Sequence, residues 1–131
     1  MPGVGAYLEG VLLNYSLNTG SVTRPTNWAV GLSQGAPSSI SGSEVGTGSG
    51  WTRQTCPFPA AASPIGSCSN SAAMTFGTGL TAATFSGLQI WDTMAPTAGN
   101  MLYYGTLATP RTLGVGDSLV LPIGALVITL S

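Results

Sequence analysis

The chain has 131 residues, a length that fits one domain with its own core, and charged residues make up only 5% of it, against roughly 25% in an ordinary soluble domain. Three arginines face four acidic residues, lysine and histidine are absent, and the formal net charge is −1. This composition excludes nucleic-acid binding through a basic patch, because such binding needs several Lys or Arg side chains to neutralise phosphates.

The first predicted element is a short helix from Tyr7 to Tyr15. Its apolar residues recur at helical spacing and form one stripe: Tyr7, Leu8, Val11, Leu12 and Tyr15. The segment from Asn18 to Gly20 provides the stop, since Asn and Gly readily take the left-handed conformation that ends helices. A helix of about three turns is not stable alone, so the stripe packs on the β body or on a partner, and we expect the body.

The first predicted strand, Trp28 to Leu32, alternates large and small residues with a period of two. From Ser33 to Gly50 the chain is rich in Ser, Gly, Pro and Thr, with Ile40, Glu44 and Val45 as the main interruptions. Such a composition does not repay its ordering entropy unless something holds it. We therefore predict a flexible arm or loop over residues 33–50, either an arm that reaches a neighbouring subunit or a surface loop.

A second strand is predicted from Trp51 to Thr55, and Arg53 lies in its alternating pattern. Arg53 lies either on the solvent face of this strand or in a pair with one of the few acidic residues, and we expect a structural ion pair. Glu44 and Asp117 are the two candidates, with the Arg53 to Asp117 pair as the working assignment.

Two cysteines, Cys56 and Cys68, bracket a Pro- and Ala-rich segment. Two thiols without histidine do not make a zinc site, which needs four ligands. They either form a loop-closing disulfide or stay reduced, and we expect the disulfide, which would stabilise the fold by about 2–3 kcal/mol.

The remaining predicted strands are short apolar runs separated by Gly, Pro, Asn and Asp: Ser71 to Phe76, Phe85 to Trp91, Gly99 to Leu107, Val115 to Leu119 and Gly124 to Leu130. Pro122 and Gly124 divide the run from Leu119 to Leu130 into two strands, and the run is shorter than the roughly 20 residues of a membrane helix. The pattern predicts an all-β fold, an antiparallel β-sandwich or jelly roll with a short N-terminal helix, as a single domain over residues 1–131.

No constellation for catalysis is apparent in the sequence. Histidine, the most common general acid or base, is absent, and the serines, threonines and cysteines have no base to activate them. Asp92 and Asp117 are the carboxylates that would have to act as a glycosidase pair, but both stand where aspartate usually caps turns. We predict that the chain is not an enzyme and that it uses neither a cofactor nor a metal.

So little charge also leaves almost no repulsion between copies of the chain. We expect much of the surface to be covered in the working state, by copies of the chain or by a larger partner; the alternative is a soluble monomer rich in Ser, Thr and Asn. No signal peptide is expected at the N-terminus, and no membrane partner is predicted.

Several short motifs, spread over the whole chain, resemble those of one family. They are Tyr7-Leu8-Glu9 with Leu12-Leu13-Asn14, Val30-Gly31-Leu32, Gly50-Trp51-Thr52-Arg53-Gln54, Asn70 with Ala72 and Phe76, Gly99-Asn100-Met101-Leu102-Tyr103-Tyr104-Gly105, Gly116-Asp117 and Gly124-Ala125-Leu126-Val127-Ile128-Thr129-Leu130. This pattern resembles small virion proteins of tailed bacteriophages, often labelled tail fibre proteins, and is similar to the jelly-roll cement or decoration proteins of phage capsids. The two cysteines and the loop between them depart from the pattern.

The resemblance implies a structural virion protein that is assembled in the host cytoplasm. The first hypothesis is a capsid cement that binds over the joints between major capsid proteins, as a homodimer or trimer. Its partner contacts are expected at Tyr7, Ser38, Ile40, Glu44 and Val45. The alternative is a tail-fibre or tail-tip module that binds host glycans, which requires several aromatic side chains to share one exposed patch.

Overall fold

The computed structural model describes residues 3–17, 21, 23–41, 43–46, 48–59 and 66–129. Over these residues the chain forms one helix and nine strands: β1 (Gly3–Val4), α1 (Ala6–Leu17), β2 (Ala29–Ser33), β3 (Gln54–Thr55), β4 (Ser67–Ser69), β5 (Met74–Phe76), β6 (Ala83–Trp91), β7 (Met101–Leu113), β8 (Leu119–Leu121) and β9 (Val127–Thr129). The predicted helix stop, Asn18 to Gly20, lies outside the described residues. No helix in the described ranges is long and apolar enough to cross a membrane.

The strands form an antiparallel sandwich, which confirms the predicted all-β class. One layer is a five-stranded sheet in the order β1-β7-β6-β2-β3, and two short ladders, β4-β9 and β5-β8, supply the other side. The core lies between them, built from buried side chains of β2, β5 and β6 with half-buried leucines and isoleucine from β8 and β9. Because side chains alternate between the faces of a strand, the buried–exposed–buried pattern of β5 and of the first three residues of β6 directs Met74, Phe76 and Phe85 inward.

Trp51 occupies the centre of this core although it lies just before β3. Its exposed fraction is 2%, and its ring meets Phe85 edge to face with ring centroids 5.2 Å apart. The indole Nε1–H donates to the Thr81 carbonyl oxygen at 3.0 Å, so the polar end of the side chain is satisfied as burial requires. The Trp51 ring also lies against Gly79, where a Cβ atom would collide with it.

β7 is longer than predicted, and one predicted strand is wrong. The β6 to β7 register shifts between Phe85 and Gly87, so residues 107–110 have no partner in β6. Pro110 lies in this bulge, where its missing N–H removes no ladder bond. The segment predicted as a strand from Val115 is a turn as far as Ser118, because the Gly114 N–H donates to Asp117 Oδ2 at 2.8 Å, and the next strand begins at Leu119.

β1 and β4 are absent from the sequence prediction because they are two and three residues long and carry little apolar pattern. β4 lies within the predicted cysteine loop and pairs with β9, with Cys68 opposite Ile128. Asn70 closes one end of this ladder, next to the Ser69–Val127 pair. Its Nδ2 donates to the carbonyl oxygens of Ala72 and Pro122 at 2.8 and 2.9 Å, and its Oδ1 accepts from the Leu126 N–H at 2.9 Å. The buried Asn70 side chain thus stabilises the turn that leads from β8 to β9.

The expected disulfide is not formed: Cys56 and Cys68 are free thiols. Cys56 is fully buried in the core, whereas Cys68 lies in β4 and pairs with Ile128 of β9. Burial raises the pKa of the Cys56 thiol to about 11, so almost none of it is the reactive thiolate at neutral pH.

We expect a native thiol titration at pH 8 to detect one fast-reacting cysteine per chain, because Cys68 is partly accessible and Cys56 is not. Unfolding in guanidinium should reveal the second thiol. Cys68→Ser should abolish the fast reaction, and Cys56→Ala should leave it unchanged. Finding no free thiol in the unfolded chain without reductant would instead establish a disulfide.

Candidate functional site

The segment predicted as an arm or loop folds back along β2 where it is described. Ser33 forms a bridge with Glu44, the Gln34 N–H donates to the Ser43 carbonyl at 3.0 Å, and the Val45 N–H donates to the Leu32 carbonyl at 2.9 Å. Val45 is 7% exposed and belongs to the core. Backbone bonds to β2 therefore supply the order that the Ser- and Gly-rich composition lacks.

Arg53 pairs with Glu44 and not with Asp117, which corrects the working assignment. The pair is bidentate: Nε donates to Glu44 Oε1 at 2.8 Å and Nη2 to Oε2 at 2.7 Å. The fold selects Glu44 because the bridge to Ser33 brings it onto the same side of β2 as Arg53, while Asp117 is engaged in its own turn by the Gly114 N–H. The Arg53 side chain has no exposed surface.

The remaining donor group of Arg53 organises the loop between β6 and β7. Nη1 donates to three backbone carbonyl oxygens, those of Thr93 and Ala95 at 2.8 Å and that of Ala98 at 3.0 Å. The guanidinium also lies 4.2 Å from the centroid of the Trp91 ring, a favourable cation–π contact. This loop includes Thr97 in the left-handed region, with a φ of 59°, which β-branched residues rarely adopt. The arginine has a structural role and offers no charge to a ligand.

The structure brings three of the predicted contact residues together and turns two away. The Ala6 N–H donates to the Ser39 carbonyl at 2.7 Å, which joins the start of α1 to the tip of the loop. Tyr7 and Ile40 are 45% and 84% exposed near this junction, and Ser38 is exposed beside it. Glu44 and Val45 point into the body, where Glu44 pairs with Arg53 and Val45 packs in the core, so these two side chains offer little surface to a partner.

The helix stripe was expected to pack on the β body, and this expectation holds for Leu8 and Val11 but not for the other three stripe residues, Tyr7, Leu12 and Tyr15. The exposed fraction rises along α1, from 8% at Leu8 to 41% at Leu12, 75% at Tyr15 and 81% at Leu17. The C-terminal half of the helix therefore projects beyond the sheet that covers Leu8. Leu13, 58% exposed, adds a second apolar side. We call the exposed apolar side chains of residues 12–17 the helix tip.

The sequence carried a signal for this surface. Leu13 and Leu17 lie off the predicted stripe, so apolar residues surround the second half of α1. A helix that is apolar on all sides is usually buried. In α1 the β body buries the side that carries Leu8, and the apolar side chains of the second half stay exposed.

A groove of about 590 Å³ lies between β9 and the β1-β7-β6 part of the large sheet. Because paired residues point to one face of a sheet, the register places Val4, Ile90 and Tyr103 together on the floor. Leu126 and Ile128 line the other side, and none of the lining residues is charged. Gly105, opposite Leu88, contributes no side chain to the floor and so deepens the groove.

Burial, together with the nearby Cys68, raises the pKa of the Tyr103 hydroxyl. The groove therefore stays uncharged at neutral pH. It is an uncharged recess, more apolar than polar, that suits a largely apolar occupant.

Five aromatic side chains that could stack on a sugar do not form an exposed patch: Trp28, Trp51, Trp91, Tyr103 and Tyr104. Trp51 is buried, Trp91 lies under Arg53, and Trp28 is half-buried with Arg24 5.8 Å from its ring centroid. Tyr103 is half-buried in the groove, and Tyr104, on the opposite face of β7, is half-buried with its ring against Gly3. The geometry required for sugar stacking is therefore not met by these residues.

Asp92 and Asp117 cap turns, as the sequence predicts. Asp92 Oδ1 accepts from the Asn100 N–H at 2.7 Å, and Oδ2 accepts from Asn100 Nδ2 at 2.9 Å. Asp117 Oδ2 closes the turn before β8. Each carboxylate thus has a local structural partner.

Comparison with known proteins gives one family. A family described as podophage GP4 fiber I protein gp80 matches residues 3–129. A search of curated proteins finds no match.

Proposed function

The chain belongs to the family of the podophage GP4 fiber I protein gp80, and from that premise we propose that it is a structural subunit of a fibre on the virion of a tailed phage. Its role is assembly: it binds copies of itself and the virion through uncharged apolar surfaces. The family description supports a structural virion protein, and the fibre assignment is our own inference for this chain.

The helix tip is the observation that carries the proposal. Four large apolar side chains, Leu12, Leu13, Tyr15 and Leu17, stand in solvent on one short helix. Burying a Leu side chain fully is worth about 1.5–3 kcal/mol, so this surface gains much by association. With a net charge of −1, little electrostatic repulsion opposes it.

Two further features bear on the choice between fibre and capsid cement, and a third bears on glycan binding. The segment over residues 33–50, predicted as an arm or loop, lies against β2 in its described residues. Glu44 pairs with Arg53 and Val45 packs in the core. The junction of Tyr7 and Ile40 still offers an exposed contact, which keeps cement as the second candidate, with the major capsid protein as its partner. Glycan binding is less favoured because the three tryptophans, Tyr103 and Tyr104 are buried or half-buried and form no exposed patch.

We expect quantitative mass spectrometry of purified virions to find this protein at a small fraction of the copy number of the major capsid protein. Fibres are few per particle, whereas a cement covers the shell. Gold-labelled antibody viewed by electron microscopy should mark an appendage.

Near parity with the major capsid protein, with label over the shell, would contradict the fibre proposal and establish the cement. Absence from purified particles would contradict both. The major capsid protein and a known tail protein, measured in the same sample, give the copy numbers expected for a shell component and for an appendage.

A further inference from the structure

We infer that the helix tip of one copy docks into the groove between β7 and β9 of a second copy. The inference rests on the proposed function, since it specifies how the fibre subunits contact one another. It pairs two apolar features of the same chain, a projecting helix end and a recess.

The chemistry of the two surfaces matches. The groove lining contains no charged residue, and the helix from Leu12 to Leu17 contains none either. Ser16 can enter an apolar site at little cost, because its hydroxyl donates to the Leu12 carbonyl of its own helix at 2.9 Å. Neither side would bury an unpaired charge, the costliest fault of an interface.

The helix tip does not fill the groove of its own chain. No residue of α1 lines that groove, and Leu17 is 81% exposed. A helix rises about 1.5 Å per residue and is rigid, so the tip stays roughly 16 Å from Ala6, where α1 leaves β1. We therefore expect the helix tip of a second copy of the chain to occupy the groove.

The recess has room for side chains of this kind. A volume of about 590 Å³ lies within the range of roughly 300–1,000 Å³ typical of pockets that enclose a ligand. Gly105 leaves the floor open opposite Leu88, and a strand glycine often marks a site where another group approaches closely. We expect Leu13 and Leu17 to be the anchors.

This contact is heterologous, because one copy contributes the helix and the next the groove. Such contacts generate rings when the rotation closes and filaments when it does not. Either outcome suits a subunit of an elongated virion appendage.

The test is site-directed cross-linking between two differently tagged chains, both carrying Cys68→Ser. One chain carries Leu17→Cys and the other Ala108→Cys, since Ala108 is an exposed residue of the groove lining. A short bis-maleimide should link the two tags at least tenfold more than in a matched mixture in which Val120→Cys, exposed on β8 outside the groove, replaces Ala108→Cys.

A mixture that links no more than the Val120→Cys control would overturn the inference, as would links confined to Leu17→Cys with itself, which indicate symmetric helix pairing. Light scattering on the wild-type chain separates this failure from that of the proposed function. If the chain associates but residues 17 and 108 are not cross-linked, the docking inference fails and the fibre proposal stands. If the protein and the major capsid protein have nearly equal copy numbers in virions, the fibre proposal fails whatever the cross-linking result.

A second variant tests the groove without changing the helix. Gly105→Leu places a side chain on the groove floor. We expect this variant to be monomeric where the wild-type chain associates, with a circular dichroism spectrum that still reports a folded chain. Full association of folded Gly105→Leu would contradict docking in the groove.

Discussion

Replacing Arg53 with alanine is expected to lower the free energy of unfolding by about 3–5 kcal/mol, the cost of breaking a buried ion pair by removing one partner. The variant leaves Glu44 without its countercharge and the carbonyl oxygens of Thr93, Ala95 and Ala98 without their donor. Urea unfolding followed by circular dichroism measures the change, and the melting temperature should fall by roughly 10–20 °C.

Arg111→Ala is the matched control, since Arg111 is exposed on β7 and should change stability by less than about 0.5 kcal/mol. Arg53→Lys should recover only part of the loss, because an ammonium group lacks the planar fork that meets Glu44 and the loop carbonyls together. The double variant Arg53→Ala with Glu44→Gln should cost less than the two single changes added, since a neutral amide tolerates the missing countercharge better. An Arg53→Ala protein within 1 kcal/mol of wild type would show that the loop between β6 and β7 does not depend on Arg53.

Trp51→Ala is expected to destabilise the fold by about 3–5 kcal/mol, the usual cost of deleting a fully buried large aromatic side chain. The change removes the edge-to-face contact with Phe85 and the donor to the Thr81 carbonyl. It also opens a cavity beside Gly79, whose backbone lies against the indole. Chemical denaturation should be followed by circular dichroism, because the substitution itself alters the fluorescence.

Trp51→Phe separates packing from hydrogen bonding. It keeps an aromatic ring against Phe85 but leaves the Thr81 carbonyl without its donor, so we expect a smaller loss of about 1–3 kcal/mol. Trp28→Phe serves as the control at a half-buried site. Equal stability of Trp51→Ala and Trp28→Phe would refute the central role of Trp51 in the core.

The predictions from the sequence succeeded where the signal is local. The run Trp28 to Leu32 alternates with the period of a strand, Phe85 to Trp91 is a short apolar run, and the structure forms β2 and β6 there. Pro122 and Gly124 interrupt an apolar run, and β8 and β9 lie on either side. Where alternation is absent, as in β4, or where a turn interrupts an apolar segment at Asp117, the prediction failed.

The candidate site was only partly visible in the sequence. The scarcity of charge indicated a surface that other molecules cover, and Tyr7 and Ile40 are exposed, as a partner contact requires. The groove was invisible, because it depends on β1, β6, β7 and β9 meeting in space. The expected disulfide failed for a related reason: burial and strand pairing, which sequence spacing does not reveal, govern the two cysteines.

By itself the sequence determined the all-β class, the place of helix α1, the low charge and the lack of histidine for acid–base chemistry. These follow from composition and from periods of two and 3.6 residues, which neighbouring residues carry among themselves. Only the tertiary structure decided that Glu44 is the partner of Arg53, that the 33–50 segment folds back where it is described, and that the helix tip stays exposed. Each of these depends on contacts between distant parts of the chain: Arg53, for example, binds carbonyls 40 to 45 residues further on, and no local pattern records such a meeting.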